Sequence, residues 1–552
     1  MKRVVIVGGV AGGMSAATRL RRLNSDIEIV VLEKSGHVSY ANCGLPYYVG
    51  GVIEDESALL LQTPQSLHDR FRLDVRVHSE VLEINREVKS VTVLERESAE
   101  VYTLSYDKLI LSTGASPIVP PIAGIERAFT LRTIEDVEAI VKQVSKAPKN
   151  AVIIGGGFIG LEIAENFVHK GIQTTIVEAS TQVLAPLDPE MAVFLERELS
   201  DNGVKLHLGV SATSISENAV QLSDGREIPA ELVILAIGVR PDTSLAREAG
   251  LVVGPKGGVS VNEVNLTNDE SIYALGDLAE KIDELDGSAT LVPLANLANR
   301  HGRVVADHIS GKNIRVVKTI GTAIVKVFNL TVATTGWNEK RLKSAKIDYR
   351  VIHSHPNSHA GYYPDAQQMT LKLLFAPQNG EIYGAQAVGH DGVDKRIDVI
   401  ATAIRGEISA PELADLELAY APPFGSAKDP VNMLGYIAEN VLRGVVKTVQ
   451  WNEIDQYVEQ GYHIVDVRTA FEFAQGSIPR AINIPVDEIR ERISEIPGKK
   501  VLLTCQVGQR GHTATMYLKS LGYDAVNLDG GYLLWKSSPA KVSQERKATA
   551  NV

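Results

Sequence analysis

The chain has 552 residues, 44% of them hydrophobic and 22% charged, with a formal net charge of −11. At roughly 100 to 200 residues per domain this length implies three to five domains, and an acidic balance with no basic block excludes nucleic acid as a general partner. No run reaches the roughly eighteen uncharged apolar residues of a membrane span, and no secretory h-region precedes the first strand, so a cytoplasmic chain without a membrane partner is expected.

Only two cysteines occur, Cys43 and Cys505. Their separation excludes a disulfide framework and a clustered zinc site; no metal is assigned, and the live possibility is reactive thiols in a reducing compartment.

In chain order, KRVVIVGGVAGGMSAATRLRRL reads as strand, glycine turn and helix, and DIEIVVLEK as a second buried strand, which together make a βαβ unit. The same order returns at residues 150 to 180, NAVIIGGGFIGLEIAENFVHKGIQTTIVEAS. YDKLILSTGASP, ELVILAIGVRP and SIYALGDLAE each read as a short buried strand running into a glycine. Strands alternating with helices predict parallel sheets. From about Lys318 the pattern becomes alternating strands, TAIVKVFNLTVATTGW and MTLKLLFAPQNGEIYGAQAVG, with a hairpin-like turn at Gln-Asn-Gly and a helix from Asp394. Residues 445 to 450 read as a connector, and the stretch beyond as a small α/β module with a polar frayed tail.

Two turns point to nucleotides. Gly155, Gly157 and Gly160 complete a GxGxxG turn, with Glu178 at the end of the next strand. Glycines admit a pyrophosphate to the helix N-terminus, while the carboxylate accepts from a ribose hydroxyl and repels a 2′-phosphate, which favours NADH over NADPH. In the first turn Gly8 and Gly13 fit, Val10 replaces the middle glycine, and Glu33 closes the next strand. Two dinucleotides in one chain imply electron relay between a flavin and a nicotinamide.

GGVAGG, SYANCGLPYY, STGASP, GGGFIGLE, AIGVRPD and YALGDLAE occur in the order that resembles pyridine nucleotide-disulfide oxidoreductases, over residues 1 to about 440. Tyr48 stands five after Cys43, where the two-cysteine branch has its second cysteine, so SYANCGLPYY resembles the single-cysteine branch of coenzyme A-disulfide reductases, NADH peroxidases and oxidases, and persulfide reductases. The resemblance implies FAD against Gly8, Gly13, Glu33 and Asp277, and a homodimer. Ala11 stands where the peroxidases and oxidases carry a histidine. HAGYYP and LAYAPPF resemble segments that bring tyrosine hydroxyls to the partner subunit's cysteine, here Tyr420 and either Tyr362, the preferred choice, or Tyr363. Arg19 and Arg22, three apart on one helix, and Asn299 and Arg303, four apart on another, would receive the phosphates of coenzyme A, with Ser39 and Asn42 beside the thiol. Taken without the resemblance, the arginines read as a solvated face and the tyrosines as ordinary packing.

Cys505 follows the strand KKVLLT and opens CQVGQRG, a tight loop leading into the helix HTATMYLKSL. Backbone N–H groups and Arg510 would surround its sulfur and favour a persulfide anion. The loop, with IVDVRTAFEF and AINIP, resembles a rhodanese domain; SIPRA departs from it where a histidine and a glycine are usual.

The expected fold is therefore α/β: two Rossmann-like dinucleotide-binding domains, an α+β dimerisation domain and a C-terminal rhodanese-like domain. The expected boundaries are 1–117 and 246–320 for FAD, 118–245 for NAD, 321–444 for dimerisation, 450–540 for the rhodanese-like module and 541–552 for a tail. The expected enzyme uses FAD, NADH and coenzyme A and reduces coenzyme A disulfide, coenzyme A persulfide or polysulfide through Cys43, with Cys505 handling sulfane sulfur. The alternatives are an NADH peroxidase or oxidase using a Cys43 sulfenic acid, and a flavin redox sensor or sulfur carrier.

Overall fold

The computed structural model describes residues 2–316, 318–539 and 541, so that of the expected tail at 541–552 all but the first residue lies outside the described residues. The chain forms two compact units, one made of the residues up to Thr181 with Gly203–Ile320, the other of Gln182–Asn202 with the residues from Gly321 onward. Residues 182–202, within the stretch read as the NAD domain, thus pack with the second unit.

The first unit holds two parallel sheets. One runs in the order Ile272–Ala274, Lys108–Leu111, Arg3–Val7, Glu28–Leu32, Asp74–Arg76. The other runs Lys205–Leu208, Gln173–Glu178, Asn150–Ile154, Leu232–Leu235. Their central strands are covered on both faces: Val4, Val5 and Ile6, like Val152 and Ile153, are fully buried, which is why the sequence there is an uninterrupted apolar run. The parallel reading missed two antiparallel three-stranded sheets, Ser79–Asn85 with Ser90–Glu95 and Val101–Ser105, and Ala212–Ile215 with Ala219–Leu222 and Glu227–Pro229. They are short, and one face meets water, so their apolar signal is weak.

The second unit holds an antiparallel sheet in the order Ala323–Val327, Leu330–Gly336, Ile382–Gly389, Met369–Phe375, Arg350–Ser354. Met369–Phe375 does not alternate: every residue in it is buried, Lys372 included. A parallel sheet follows, in the order Thr448–Val449, Asp524–Leu528, Lys500–Thr504, His463–Asp466, Ile482–Asn483. Among the described residues no helix is long and apolar enough to cross a membrane.

Candidate active site

The two glycine turns are built alike. Gly8 (φ +102°) and Gly155 (φ +112°) adopt a backbone that L side chains rarely take, and a Cβ would lie 2.2 Å from the Ser112 carbonyl oxygen in one and 2.4 Å from that of Ala236 in the other. A Cβ at Gly13 or Gly160 would strike the carbonyl oxygen of Gly8 or Gly155 at 1.9 and 2.2 Å, so these glycines seat helix on strand. Gly9 N–H donates to Glu33 at 2.8 Å, and Gly156 N–H to Glu178 at 2.7 Å. At Gly157 nothing of the protein lies nearer a Cβ than 4.0 Å, so the glycine keeps that surface open. The helices Ala11–Leu23 and Phe158–His169 start without a side-chain cap, leaving first-turn N–H groups for an anion. The first turn keeps this geometry although Val10 replaces a glycine.

Asp277 sits in the turn Gly276–Leu278, just after the strand Ile272–Ala274. Its Oδ1 is buried and has no protein partner. Lys281, nearby, donates hydrogen bonds to the carbonyls of Gly276 (2.7 Å) and Ala279 (3.0 Å). Burial raises the Asp277 carboxyl and pushes Lys281 down to about 8, each opposed by the other. An orphaned buried acceptor beside a nucleotide turn fits a polyhydroxylated chain such as the ribityl of FAD.

Cys43 lies in the turn Asn42–Gly44 that opens the helix Leu45–Gly50. The residue is exposed, and its Sγ lies 3.8 Å from Asn42 Oδ1. Ser39, at φ +50°, donates its backbone N–H to Gly9 at 2.9 Å, tying this stretch to the first glycine turn. The surrounding protein raises the thiol, first by desolvation and then through the carboxylates of Glu162 and Asp277. Tyr47 donates to Glu162 at 3.4 Å, and burial pushes Glu162 up to about 7. Glu162 stands in GGGFIGLE, but nothing in that stretch places a tyrosine opposite it.

The helices Ala11–Leu23 and Ala295–Ile309 cross where a Cβ at Gly302 would stand 2.5 Å from the Gly12 carbonyl oxygen. This close approach joins Ser15 to Asn299 (2.8 Å) and lets Asp307 take both Arg19 (2.7 Å) and Arg303 (3.7 Å). Arg22 is not part of the group; its guanidinium lies over the Phe71 ring, 5.4 Å from the centroid.

In the second unit the hydroxyls of Tyr362 and Tyr420 are 3.0 Å apart, and both residues are exposed, Tyr362 by 77%. The hydrogen bond to Tyr420 raises the Tyr362 phenol. Tyr363 packs edge-on against His359 instead, with the ring centroids 5.6 Å apart. Geometry therefore pairs Tyr420 with Tyr362.

Cys505 follows the strand Lys500–Thr504 and is fully buried; Gly508 N–H points at its Sγ from 3.1 Å. The next helix begins at Gln509, earlier than expected, so Arg510 lies in its first turn. Arg510 grips Glu472 bidentately at 2.7 and 2.6 Å, which holds the Glu472 carboxyl down near 2, and interacts more weakly with Cys505. Glu472 was missed as a site residue, although Thr469-x-x-Glu472 spells the capping box that the structure forms. Arg480, in SIPRA where a glycine is usual, takes φ +69°, at a cost of roughly 1 kcal/mol.

Asp188, Glu190 and Glu339 bring carboxylate oxygens within 4.8 Å of one another, as a metal site would. The Lys372 ammonium already bridges them, 2.9 Å from Asp188, 2.6 Å from Glu339 and in contact with Glu190.

Two nucleotide turns with an exposed cysteine beside the first fit a flavin- and nicotinamide-linked disulfide reductase. The chain belongs to the pyridine nucleotide-disulphide oxidoreductase family: the family model matches residues 2–302, its dimerisation domain residues 322–430 and a rhodanese-like domain residues 450–538. Coenzyme A disulfide reductase of Staphylococcus haemolyticus is 35% identical over 443 residues, 80% of this chain and all of that protein. The crystal structure of reduced Bacillus anthracis CoADR-RHD is similar with a TM-score of 0.96 and 49% identity, covering 97% of this chain and 98% of the other. An NAD-dependent persulfide reductase from A. fulgidus has a TM-score of 0.91 and 36% identity, covering 97% of this chain and all of that one.

Proposed function

We propose that the chain is an NADH-dependent flavoprotein that reduces the sulfur–sulfur bond of coenzyme A disulfide or coenzyme A persulfide at Cys43, and that Cys505 carries sulfane sulfur. The observation that carries this reading is the exposed Cys43 thiol, tied through Ser39 to the first glycine turn, with Tyr48 in the place of a resolving cysteine. The names of the similar proteins support the substrate class. Glu33 and Asp277 would hold FAD, and the open surface at Gly157 with Glu178 would hold NADH. Bound FAD supplies the electron pair taken from NADH.

The Cys43 thiolate attacks one sulfur of the substrate, forming a mixed disulfide or a persulfide and releasing a thiolate. Tyr362 and Tyr420, contributed by the second subunit of a homodimer, hydrogen-bond each other and give that thiolate its proton. Two electrons and one further proton return Cys43 to its starting state. Ser39, Asn42, Asn299, Arg19 and Arg303 would receive coenzyme A; Arg22 would serve only after leaving Phe71. At the other centre Cys505 takes one sulfur atom from a donor and passes it on, with Gly508 N–H against the anionic sulfur. Two free thiols suit a reducing cytoplasm.

Steady-state NADH consumption tests the proposal. Coenzyme A disulfide or persulfide should sustain it over many turnovers; a single stoichiometric reduction that then stops would mean a redox sensor instead. Turnover sustained by hydrogen peroxide alone would mean a peroxidase.

A further inference from the structure

The second unit carries a buried charge network that the mechanism above does not use. His353, in the strand Arg350–Ser354, stands directly across from Lys372 on its neighbour. Two cations so placed repel each other unless carboxylates separate them. Glu190 does so, in contact with Lys372 and 3.4 Å from His353 Nε2. The other ring nitrogen, Nδ1, is 2.6 Å from Asp529 Oδ2, and the His353 backbone N–H donates to Asp529 Oδ1 at 3.1 Å. The charged and titratable groups in this cluster are Asp529 and Glu190 on His353, Lys372 opposite, Asp188 and Glu339 on Lys372, and His355 two residues along. His355 Nε2 lies 3.1 Å from the Gly530 carbonyl oxygen.

Asp529 and Gly530 lead straight into the cradle of Cys505. Tyr532 N–H donates to the Cys505 carbonyl at 2.7 Å and Leu533 N–H to that of Gln506 at 3.0 Å. A Cβ on Gly531 would sit 2.5 Å from the Cys505 carbonyl oxygen and 2.8 Å from Gly508 N, the group whose N–H faces the sulfur. The backbone from Asp529 to Leu533 is therefore pinned to the antiparallel sheet at one end and to the sulfur loop at the other.

We propose that His353 is a positioning residue for Cys505, holding the rear wall of the sulfur loop through Asp529 from a different domain of the chain. The proposal rests on the reading of Cys505 as a sulfur carrier. Burial alone would lower the His353 imidazole, but Asp529 and Glu190 outweigh it and raise it to about 9. A raised histidine contributes fully below its ordinary value of about 6.5 and loses that contribution as pH rises through its folded value, here about 9.

The test measures sulfur transfer from inorganic polysulfide to sulfite by the full-length holoenzyme, between pH 7.5 and 10. Cys505 takes a terminal sulfur, leaving the polysulfide one atom shorter, and the Cys505 persulfide gives that sulfur to sulfite as thiosulfate, regenerating the thiolate. His353→Gln should lower kcat about tenfold with KM within twofold, as expected for a small displacement of the reacting atom. It should also abolish the fall in rate above pH 9, while NADH-driven reduction of coenzyme A disulfide stays within twofold. Asp529→Asn should do the same and decides the matter if His353→Gln does not fold. Wild-type kcat with the same alkaline fall in the variants would overturn the proposal, as would parallel loss of both activities, which would mark a general fold support. Cys505→Ser provides the control: if it leaves sulfur transfer intact, the reading of Cys505 fails and takes this proposal with it. If it abolishes transfer while the two variants behave as wild type, only the positioning role is lost.

Discussion

Cys43 and Cys505 are held in opposite ways. Cys43 is exposed in a turn opening a short helix, with Asn42 beside its sulfur and carboxylates behind it. Cys505 is sealed in a glycine-edged loop with a backbone N–H aimed at its sulfur, its helix flanked by a bidentate ion pair. Under the proposed function, the first arrangement would admit a bulky disulfide and leave stabilisation of the thiolate to groups that arrive, and the second would suit one extra sulfur atom. The difference fits the proposed division of labour, in which the two thiols serve different cargo and are not alternates for one reaction.

The sharpest way to break that contrast is to remove each thiol. Cys43→Ser should abolish NADH-driven reduction of coenzyme A disulfide, a loss of at least about a thousandfold for a missing nucleophile, whereas Cys505→Ser should leave it within twofold. Survival of turnover in Cys43→Ser would end the assignment. Next in size, Tyr420→Phe should lower kcat about a hundredfold by removing a proton donor, and Tyr362→Phe somewhat less; stopped-flow measurement of thiol release reads this directly.

Around Cys43, Glu162→Gln should flatten a single-proton step near pH 7 in the rate of NADH-driven reduction. That step arises because burial keeps the Glu162 carboxyl protonated to about 7, so charge appears beside the thiol as pH rises through that value. An unchanged profile would show that Glu162 does not sense the reaction. The smallest effect is expected at Glu472→Gln. The Arg510 pair is partly exposed, with side-chain exposures of 35% and 31%, so screening limits its worth to about 1 kcal/mol, and sulfur transfer should fall only about two- to fivefold. A loss of a hundredfold would mean that Arg510 itself handles the sulfur.

Local chemistry explains what could be read in advance. The glycine turns, the strands that precede them and the two cysteine loops are written in contiguous residues, since a turn with φ above +100° at Gly8 and Gly155 leaves a mark on the sequence. The pairing of Tyr362 with Tyr420 was foreshadowed only by resemblance, because 58 residues separate them. Arg22 shows the limit of helical spacing: three residues from Arg19, it stacks on Phe71, which a neighbouring helix supplies. Lys372 and His353 were illegible. Each is a charge within a strand, and what makes burial tolerable comes from Asp188, Glu190, Glu339 and Asp529, distant in sequence. Arg510 was recognised but its partner was not, since a capping box announces a helix start and says nothing of a second use for its carboxylate.

The Lys372 ammonium among Asp188, Glu190 and Glu339 occupies the place that a metal ion would need. A covalently tethered cation cannot be chelated, exchanged or precipitated. That choice leaves the carboxylate cluster indifferent to chelators and to metal supply.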